Sequence, residues 1–206
     1  MKLLFVYPRF QRHAEVHPEL RRWVPMNEYL GSPSLGIATI AAMTPPGVEF
    51  EFRDDRLEDA ATPTDADAVC FSFFTPAATR ALELAGYFRA LGKPLIAGGI
   101  FPTMMPELCA PHFDSVVVGE GEPVWLQVLS DLRERRLQPR YEAATVQPLS
   151  GLPLPRVDLY LDKENDVFRP DDYPVQLSRG CPLSCVACAL PVSMTRSMRN
   201  FELDHV

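Results

Sequence analysis

The sequence predicts an α/β fold in which helices cover both faces of an open, parallel β-sheet of about five strands. Short apolar runs alternate along the chain with longer amphipathic segments, and glycine or proline residues separate them. Strands that alternate with helices pair in parallel through right-handed crossovers. A hydrophobic content of 47% over 206 residues is sufficient for a buried core. The first two-thirds of the chain therefore has the pattern of a doubly wound domain.

Five short apolar or alternating runs are the predicted strands. They are "KLLFVYP" (2–8), "VEFEFRD" (48–54), "DAVCFSFF" (67–74), "KPLIAGG" (93–99) and "DSVVVGEGE" (114–122). The third run is almost entirely apolar and rich in β-forming residues, which predicts a central strand. The pattern favours the flavodoxin-like or Rossmann-like arrangement with strand order 2-1-3-4-5.

Helices are predicted between these strands. Ser34 is expected to cap a helix that ends before Pro45, and Thr75 is expected to cap a helix over residues 76–91. The apolar stripe of this second helix is formed by Ala77, Leu82, Leu84, Ala85 and Phe88. A short helix is predicted at 104–109, and Pro123 suits the first turn of the helix that follows it.

The character of the chain changes after Arg136. Residues 137–173 are rich in proline and polar residues and have weak periodicity, which predicts a linker on the surface. The sequence therefore divides into a sheet domain (1–136), a linker (137–173) and a segment (174–206) that begins with the strand-like run "VQLSRG" and contains three cysteines.

Charge and terminal sequence exclude several classes of protein. With 20 basic and 27 acidic residues, the net charge of -7 argues against nucleic-acid binding, which depends on neutralising phosphates. The apolar run in "MKLLFVYPRF" is too short for a signal peptide or a membrane span. We therefore expect a cytoplasmic protein without a membrane span.

Glycine-rich turns follow two of the predicted strands. Gly98 and Gly99 follow one strand and Gly119 and Gly121 follow another, so both turns lie at the carboxyl edge of the sheet. Glycine allows close approach of a ligand to the backbone, although it is also common in turns that bind nothing. Two such turns, together with the hydroxyls of Ser72 and Thr75 at the same edge, favour a ligand site. The first strand is not followed by G-x-G-x-x-G, and the chain lacks a P-loop.

The spacing Cys181-x3-Cys185-x2-Cys188 supplies three thiolates from one compact loop. In a reducing compartment such a cluster indicates a metal site before disulfides. Three cysteines that hold a [4Fe–4S] cluster leave one iron open for substrate chemistry. A structural zinc site needs a fourth ligand, for which His205 is the nearest downstream histidine. Redox-active or incidental thiols are the remaining alternative.

This cysteine spacing after "QLSRG" resembles the cluster loop of radical S-adenosylmethionine (SAM) enzymes. The resemblance implies that Cys181, Cys185 and Cys188 bind a [4Fe–4S] cluster whose open iron binds SAM, and that reductive cleavage of SAM yields a 5′-deoxyadenosyl radical. It also implies an external electron donor of the flavodoxin or ferredoxin type. Ala187 departs from the family, which usually has an aromatic residue just before the last cysteine.

Three upstream segments narrow the resemblance. "GGIFPTMMPE" with "VVVGEGE", "SLGIATIAAM" and "LPLPRVDLY" are similar to the N-terminal region of B12-dependent radical SAM enzymes. This implies a cobalamin site and methyl transfer to an unactivated carbon of a small-molecule or natural-product substrate, although some relatives catalyse cyclisation or rearrangement. The implied cobalamin-binding residues are Ser72, Thr75, Gly98, Gly99, Ile100, Phe101, Gly119, Glu120, Gly121 and Glu122.

Two features of the sequence qualify this resemblance. The D-x-H-x-x-G motif is absent and Phe101 stands where many relatives have histidine, so cobalamin would bind without a histidine below the cobalt. Only residues 189–206 follow the last cysteine of the loop, so we expect an incomplete start of a radical SAM barrel. Two alternatives stay open. One is a non-catalytic cobalamin- or metal-binding subunit, and the other is a flavodoxin-like domain with a structural zinc loop.

Overall fold

The computed structural model describes residues 1–10, 16–23, 33–165, 169 and 173–202. A parallel sheet of six strands forms the centre of this part of the chain. The strands are β1 (Lys2–Tyr7), β2 (Glu49–Asp54), β3 (Ala68–Ser72), β4 (Leu95–Gly98), β5 (Ser115–Val118) and β6 (Arg140–Glu142). Their order is β2-β1-β3-β4-β5-β6, so the predicted order of the first five strands is confirmed and a sixth strand is added.

The first strand lies inside the sheet between two partners. Leu3 pairs with Phe50 of β2 on one side and with Ala68 of β3 on the other. Leu3 and Leu4 are fully buried although they point to opposite faces, because helices cover both faces of a doubly wound sheet. Burying one such side chain stabilises the fold by about 1.5–3 kcal/mol.

The helices lie on the two faces of the sheet. They are α1 (Leu35–Met43), α2 (Ala78–Ala90), α3 (Ile100–Met104), α4 (Pro106–Cys109), α5 (Trp125–Arg133), α6 (Asp158–Leu161) and α7 (Leu190–Ser193), with 3-10 turns at Pro18–Arg22 and Thr75–Ala77. Residues of α2 and α4 share one hydrophobic cluster with Leu4, and residues of α1 and α5 share the other with Leu3. No helix in the described ranges is long and apolar enough to cross a membrane.

The start of α2 differs from the prediction. Thr75 does not cap this helix, because a 3-10 turn at Thr75–Ala77 precedes it and Ala77 occupies the N-cap position. The buried stripe of α2 includes Ala78 and Ala81 together with the predicted Leu84, Ala85 and Phe88, whereas Leu82 is only partly buried. The early proline explains the shift, since Pro76 suits a tight turn before the regular helix. Helix α5 likewise begins at Trp125, two residues after Pro123.

Tyr160, rather than Ser34, stabilises the beginning of α1. Ser34 occupies the predicted N-cap position, but its side chain makes no capping hydrogen bond in the described structure. The Tyr160 hydroxyl accepts a hydrogen bond from the Ala38 N–H (3.2 Å) and donates one to the Ser34 carbonyl (2.7 Å). Burial raises the pKa of Tyr160, so its hydroxyl stays protonated and able to donate. The proline-rich segment is therefore tied to the sheet domain.

The sixth strand lies within the segment predicted as a linker. β6 extends β5 at the edge of the sheet, and only Tyr141 among its three residues is buried. The Tyr141 hydroxyl donates to Asp131 of α5 (2.8 Å). A strand of three residues with a single buried side chain is too short to show a period of two, so the pattern of the sequence does not predict it.

A two-stranded antiparallel hairpin carries the three cysteines. Strands β7 (Ser178–Arg179) and β8 (Arg199–Asn200) pair with each other, and residues 180–198 between them form the cysteine loop. The loop is closed at its base, where the Cys181 N–H donates to the Thr195 carbonyl (3.1 Å). Gly180 has a φ of +89°, and a β-carbon there would overlap the Ser197 carbonyl.

Candidate functional site

A pocket of about 310 Å³ lies at the carboxyl edge of the sheet. Side chains of four neighbouring strands form its apolar floor, namely Phe5, Cys70, Ile96 and Val117. Ile37 and Ile40 of α1 and Trp125 of α5 form one side. The strand order changes direction here: β1 is followed by β2 on one side and β3 on the other, and the helices after β1 and β3 lie on opposite faces of the sheet. A pocket at this point agrees with the general position of ligands in open α/β sheets.

Eight of the ten predicted cofactor-binding residues line this pocket. They are Ser72, Gly98, Gly99, Ile100, Gly119, Glu120, Gly121 and Glu122. Thr75 is exposed in the 3-10 turn and does not line the pocket. Phe101 packs against Phe73 on the α2 side of the sheet, with ring centroids 5.8 Å apart. The ligand-binding role of all ten residues stays a prediction.

The two glycine turns differ in what surrounds them. Gly99 has a φ of +99°, and a β-carbon there would come within 2.8 Å of the Phe73 carbonyl oxygen. Gly119 has a φ of +79°, and a β-carbon there would meet nothing within 4 Å. Gly99 is therefore required by packing within the protein. Gly119 instead leaves open backbone at the end of β5, where a ligand can approach closely.

Thr103 joins the two glycine turns. Its Oγ1 donates a hydrogen bond to the Gly99 carbonyl (2.8 Å) and accepts one from the Gly119 N–H (2.9 Å). Thr103 also lines the pocket. Sequence reasoning missed this residue, although it lies in the segment "GGIFPT". A hydroxyl four residues after a glycine turn, on a short helix, was the available signal, because such a side chain can bond back to a carbonyl of the preceding turn.

The chemical character of the pocket suits the corrin group that the sequence resemblance implies. Its floor is apolar, and the space beside Gly119 is empty, so a large, flat ligand can pack on carbon and come close to the backbone. No histidine is among the described residues that line it. Ser72, Ile100 and Gly119 are the groups of this chain that would hold cobalamin here, and Trp125 would pack beside it.

Both glutamates of the "GEGE" turn bind arginines of the hairpin. Arg179 Nη2 lies 2.7 Å from Glu122 Oε1, and its Nη1 lies 3.8 Å from Glu120 Oε2. Arg199 Nη1 donates to Glu120 Oε2 (3.0 Å) and to the Gln147 carbonyl (2.6 Å), and its Nη2 donates to Glu120 Oε1. The cysteine loop is therefore held directly against the pocket. Ser193 and Met194 of that loop line the pocket itself.

Sequence reasoning did not identify Arg179 and Arg199. Glu120 and Glu122 were predicted to contact a ligand, and the structure shows that their carboxylates contact arginines of the hairpin. The signal lay in the pattern, because two carboxylates in one partly buried turn favour cations nearby. Arg179, two residues before the first cysteine of the loop, was the nearest candidate in that segment.

The three loop cysteines are accessible to solvent. Cys181 is half-buried, and Cys185 and Cys188 are exposed. The Cys188 N–H donates to the Cys185 carbonyl (3.1 Å), which forms a tight turn. Within the described residues, no three cysteine, histidine or acidic side chains are placed so that they could hold a metal ion. Thiolates are the donors that hold iron–sulfur clusters, and these three thiols are accessible. Because they are not gathered around one point here, their role as cluster ligands stays a prediction. His205 lies outside the described residues.

The other two cysteines are of a different kind. Cys70 and Cys109 are buried in the two hydrophobic clusters. Burial raises the pKa of the Cys109 thiol to about 11 and raises that of Cys70 further. Because the thiolate is the metal ligand and the nucleophile, these two thiols are unsuited to either role at neutral pH.

Comparison with known proteins supports the fold and the class of the sheet domain. Residues 31–129 match the family model of the B12 binding domain. The fold and this match define the class of the sheet domain, which is a B12-binding domain. The chain also shares its fold with a radical SAM methyltransferase, TsrM from Kitasatospora setae, at a TM-score of 0.62 and 18% identity. This match covers 100% of the chain and 44% of TsrM.

Two relatives in sequence come from Chlorobaculum tepidum. The chain is 32% identical to bacteriochlorophyllide d C-8(2)-methyltransferase over 160 residues. This alignment covers 76% of the chain and 36% of the relative. It is 26% identical to bacteriochlorophyllide d C-12(1)-methyltransferase over 194 residues. This second alignment covers 93% of the chain and 42% of the relative. Residues 31–129 therefore belong to the B12-binding domain family, and most of the chain is similar in sequence to these two methyltransferases. The chain spans less than half the length of the relatives it matches.

Proposed function

We propose that this chain binds cobalamin in the strand-edge pocket and a [4Fe–4S] cluster with SAM at the cysteine loop, for methyl transfer to an unactivated carbon. One observation carries the proposal. The turn 119–122 that lines the pocket also binds the arginines at both ends of the cysteine loop. A site for a methyl donor and a site for a radical generator would therefore adjoin each other, as the reaction requires.

The residues of this chain would bind and orient the two groups. Cobalamin would supply the methyl group, and the cluster with SAM would supply the radical that activates the substrate carbon. The apolar floor would exclude water from the bound group, and the empty space at Gly119 would let it come close to the backbone. The exposed thiols of Cys185 and Cys188 would be free to bind iron without moving buried chain.

The names of the relatives support methyl transfer over cyclisation. Two are methyltransferases of bacteriochlorophyllide d, and the structural relative is a methyltransferase with tryptophan as its substrate. Their substrates are chemically diverse small molecules. We therefore propose a small-molecule substrate for this chain, together with an external electron donor of the flavodoxin or ferredoxin type.

Metal analysis of anaerobically purified protein tests the proposal. We expect about four iron atoms and one cobalt atom per chain after reconstitution, with a corrinoid absorption spectrum and a paramagnetic signal from the reduced cluster. Cobalt without iron would support the non-catalytic cobalamin-binding subunit, and zinc without iron would support the structural zinc loop. Absence of both the corrinoid spectrum and the cluster signal would overturn the proposal.

Tryptophan fluorescence tests the position of the cobalamin separately. The sequence has two tryptophans: Trp125 is buried beside the pocket, whereas Trp23 is 71% exposed. In a Trp23→Phe variant we expect hydroxocobalamin to quench most of the fluorescence of Trp125, because corrinoids absorb light that tryptophan emits. The matched Trp125→Phe variant should show weaker quenching. Equal quenching in both variants would place the corrinoid elsewhere.

A further inference from the structure

Glu120, Glu122, Arg179 and Arg199 form a continuous series of ion pairs, which we name the charge ladder. It runs from Glu122 to Arg179 (2.7 Å), on to Glu120 (3.8 Å) and from there to Arg199 (3.0 Å). All four side chains are largely buried, with exposed fractions between 8% and 19%. The charge ladder therefore differs from the solvent-exposed ion pairs of this protein, since exposed pairs contribute little to stability.

The two strands of the hairpin provide little stability by themselves. Each of its strands has only two residues, and a hairpin of two strands has marginal stability by itself. Apolar contact is limited, since Leu183 and Val192 in the cysteine loop are more than half exposed. The Arg179 guanidinium also receives support from the Gln176 Oε1 (3.0 Å) and lies 5.7 Å from the Phe201 ring. Within the described residues, α7 of the loop contacts α3, and the charge ladder connects both ends of the loop to the turn that lines the pocket.

We propose that Glu120 and Glu122 are positioning residues that couple occupancy of the pocket to the order of the cysteine loop. The inference rests on the proposed function and extends it. Both glutamates belong to a turn that lines the pocket, so a ligand that packs on this turn restricts the same backbone that presents the carboxylates. The restricted carboxylates hold Arg179 and Arg199, and with them both ends of the loop. Coupling between two sites is reciprocal, so an ordered loop strengthens corrinoid binding by the same factor.

Loss of one carboxylate breaks this connection. Glu122→Gln leaves the Arg179 guanidinium without its 2.7 Å ion pair, in a position where only 8% of its side chain is exposed. A largely buried charge that loses its partner moves toward water. The cysteine loop then moves with it, while the pocket floor, which is formed by the sheet, stays in place.

Hydrogen exchange of residues 178–200 tests the coupling without any assay of activity. We expect hydroxocobalamin to slow exchange of this segment in the wild-type chain by roughly 5- to 150-fold, the usual range of coupling between two sites. In the Glu120→Gln/Glu122→Gln variant, exchange of the segment should be faster without cobalamin and should no longer respond to it. Glu122→Asp keeps the charge and should recover part of the response.

The matched control is Glu134→Gln. Glu134 pairs with Arg136 in an exposed ion pair beyond the end of α5, far along the helix from the pocket. This variant should behave as the wild-type chain does. Exchange of residues 2–7 in the central strand reports global unfolding, and we expect it to be unchanged in every variant. Equal acceleration of both segments in the double variant would overturn the positioning role.

Failure of this inference is distinct from failure of the proposed function. If fluorescence shows that hydroxocobalamin binds while exchange of residues 178–200 does not change, the coupling is overturned and the cobalamin site stands. If hydroxocobalamin does not bind, the proposed function and the coupling both fall. The faster exchange expected in the double variant without cobalamin would then still establish that the ladder holds the loop.

Discussion

The strand-edge pocket and the cysteine loop are stabilised in opposite ways. The pocket floor consists of buried side chains such as Phe5 and Ile96, which belong to a hydrophobic core. The cysteine loop instead exposes several of its apolar side chains, including Leu183 and Val192, and Val186 is fully exposed. The charge ladder contacts both ends of this loop, Gly180 has a positive φ at its base, and α7 contacts α3.

This difference has a consequence for how each region responds to change. A floor made by the core keeps its shape as long as the sheet is folded, because packed interiors resist small displacements. A loop held by a few ion pairs can be displaced without unfolding the sheet. Substitutions in the sheet should therefore alter stability, and substitutions in the hairpin should alter cluster and ligand binding.

The largest effect is expected from the loop cysteines. Replacing Cys181, Cys185 or Cys188 with alanine should lower the iron content from about four atoms per chain to less than one, because a three-cysteine cluster has no spare ligand. Unfolding by urea should change little, since two of these side chains are exposed. Iron analysis after anaerobic reconstitution measures the effect, with Cys109→Ala as the control that keeps its iron.

Thiol labelling compares the two groups of cysteines in the native chain. At pH 8 we expect the three loop thiols to react rapidly and Cys70 and Cys109 to react slowly. The cause is burial, which raises the pKa of the Cys109 thiol to about 11 and keeps it protonated. Denaturant should make all five react. Rapid labelling of five thiols in the native chain would contradict the contrast between the regions.

The second effect concerns the two glycines at the sheet edge. Gly99→Ala should destabilise the fold by about 4 kcal/mol, since it adds both backbone strain and a clash with Phe73. Gly119→Ala carries only the strain and should cost about 1–2 kcal/mol. Urea unfolding measures both. Equal losses would show that the space around the two glycines does not differ as described.

The sheet could be predicted because its strands carry a strong local signal. β1 and β3 are nearly continuous apolar runs, and glycine turns follow β4 and β5. The positions of these strands, and an order for them, could therefore be predicted from the sequence pattern. The three-residue β6 and the capping role of Tyr160 could not be predicted. Tyr160 acts on Ala38, and a contact between residues so distant in sequence leaves no periodic trace.

The site could be predicted in its backbone and less well in its side chains. Glycines reveal where the chain turns, and eight of the ten predicted residues line one pocket. The partners of Glu120 and Glu122 remained hidden, because a carboxylate that faces a ligand and one that faces an arginine look the same in sequence. Thr103 was hidden for a similar reason, since a threonine hydroxyl bonds to many kinds of neighbour.

The third effect is a dependence of sheet stability on pH. Asp55, at the end of β2, accepts hydrogen bonds from Arg80 (2.8 and 2.9 Å) and from the N–H of Ala60 (3.2 Å). Burial by itself would raise the pKa of Asp55, but these hydrogen bonds outweigh it and hold the pKa below its usual value of 3.8. A carboxylate with a lowered pKa stabilises the fold above about pH 4 and loses this contribution as pH falls through the lowered pKa.

Asp55→Asn should therefore cost about 3 kcal/mol at neutral pH, since it leaves Arg80 without its buried partner. The difference from the wild-type chain should shrink as the pH falls below 4, because the wild-type carboxylate then becomes protonated. Urea unfolding at pH 7 and in steps below pH 4 measures this. A difference that stays constant with pH would mean that Asp55 does not supply the acid sensitivity of the sheet.

The smallest effect tests the hydroxyl that joins the two glycine turns. Thr103→Val keeps the shape of the side chain but removes both hydrogen bonds of Oγ1, and it should cost about 1–2 kcal/mol. Thr103→Ser keeps the hydroxyl and should cost less. Because Thr103 supports Gly119 rather than the sheet, valine should also weaken hydroxocobalamin quenching of Trp125 more than its stability loss explains. Unchanged quenching in the valine variant would mean that the core alone sets the shape of the pocket.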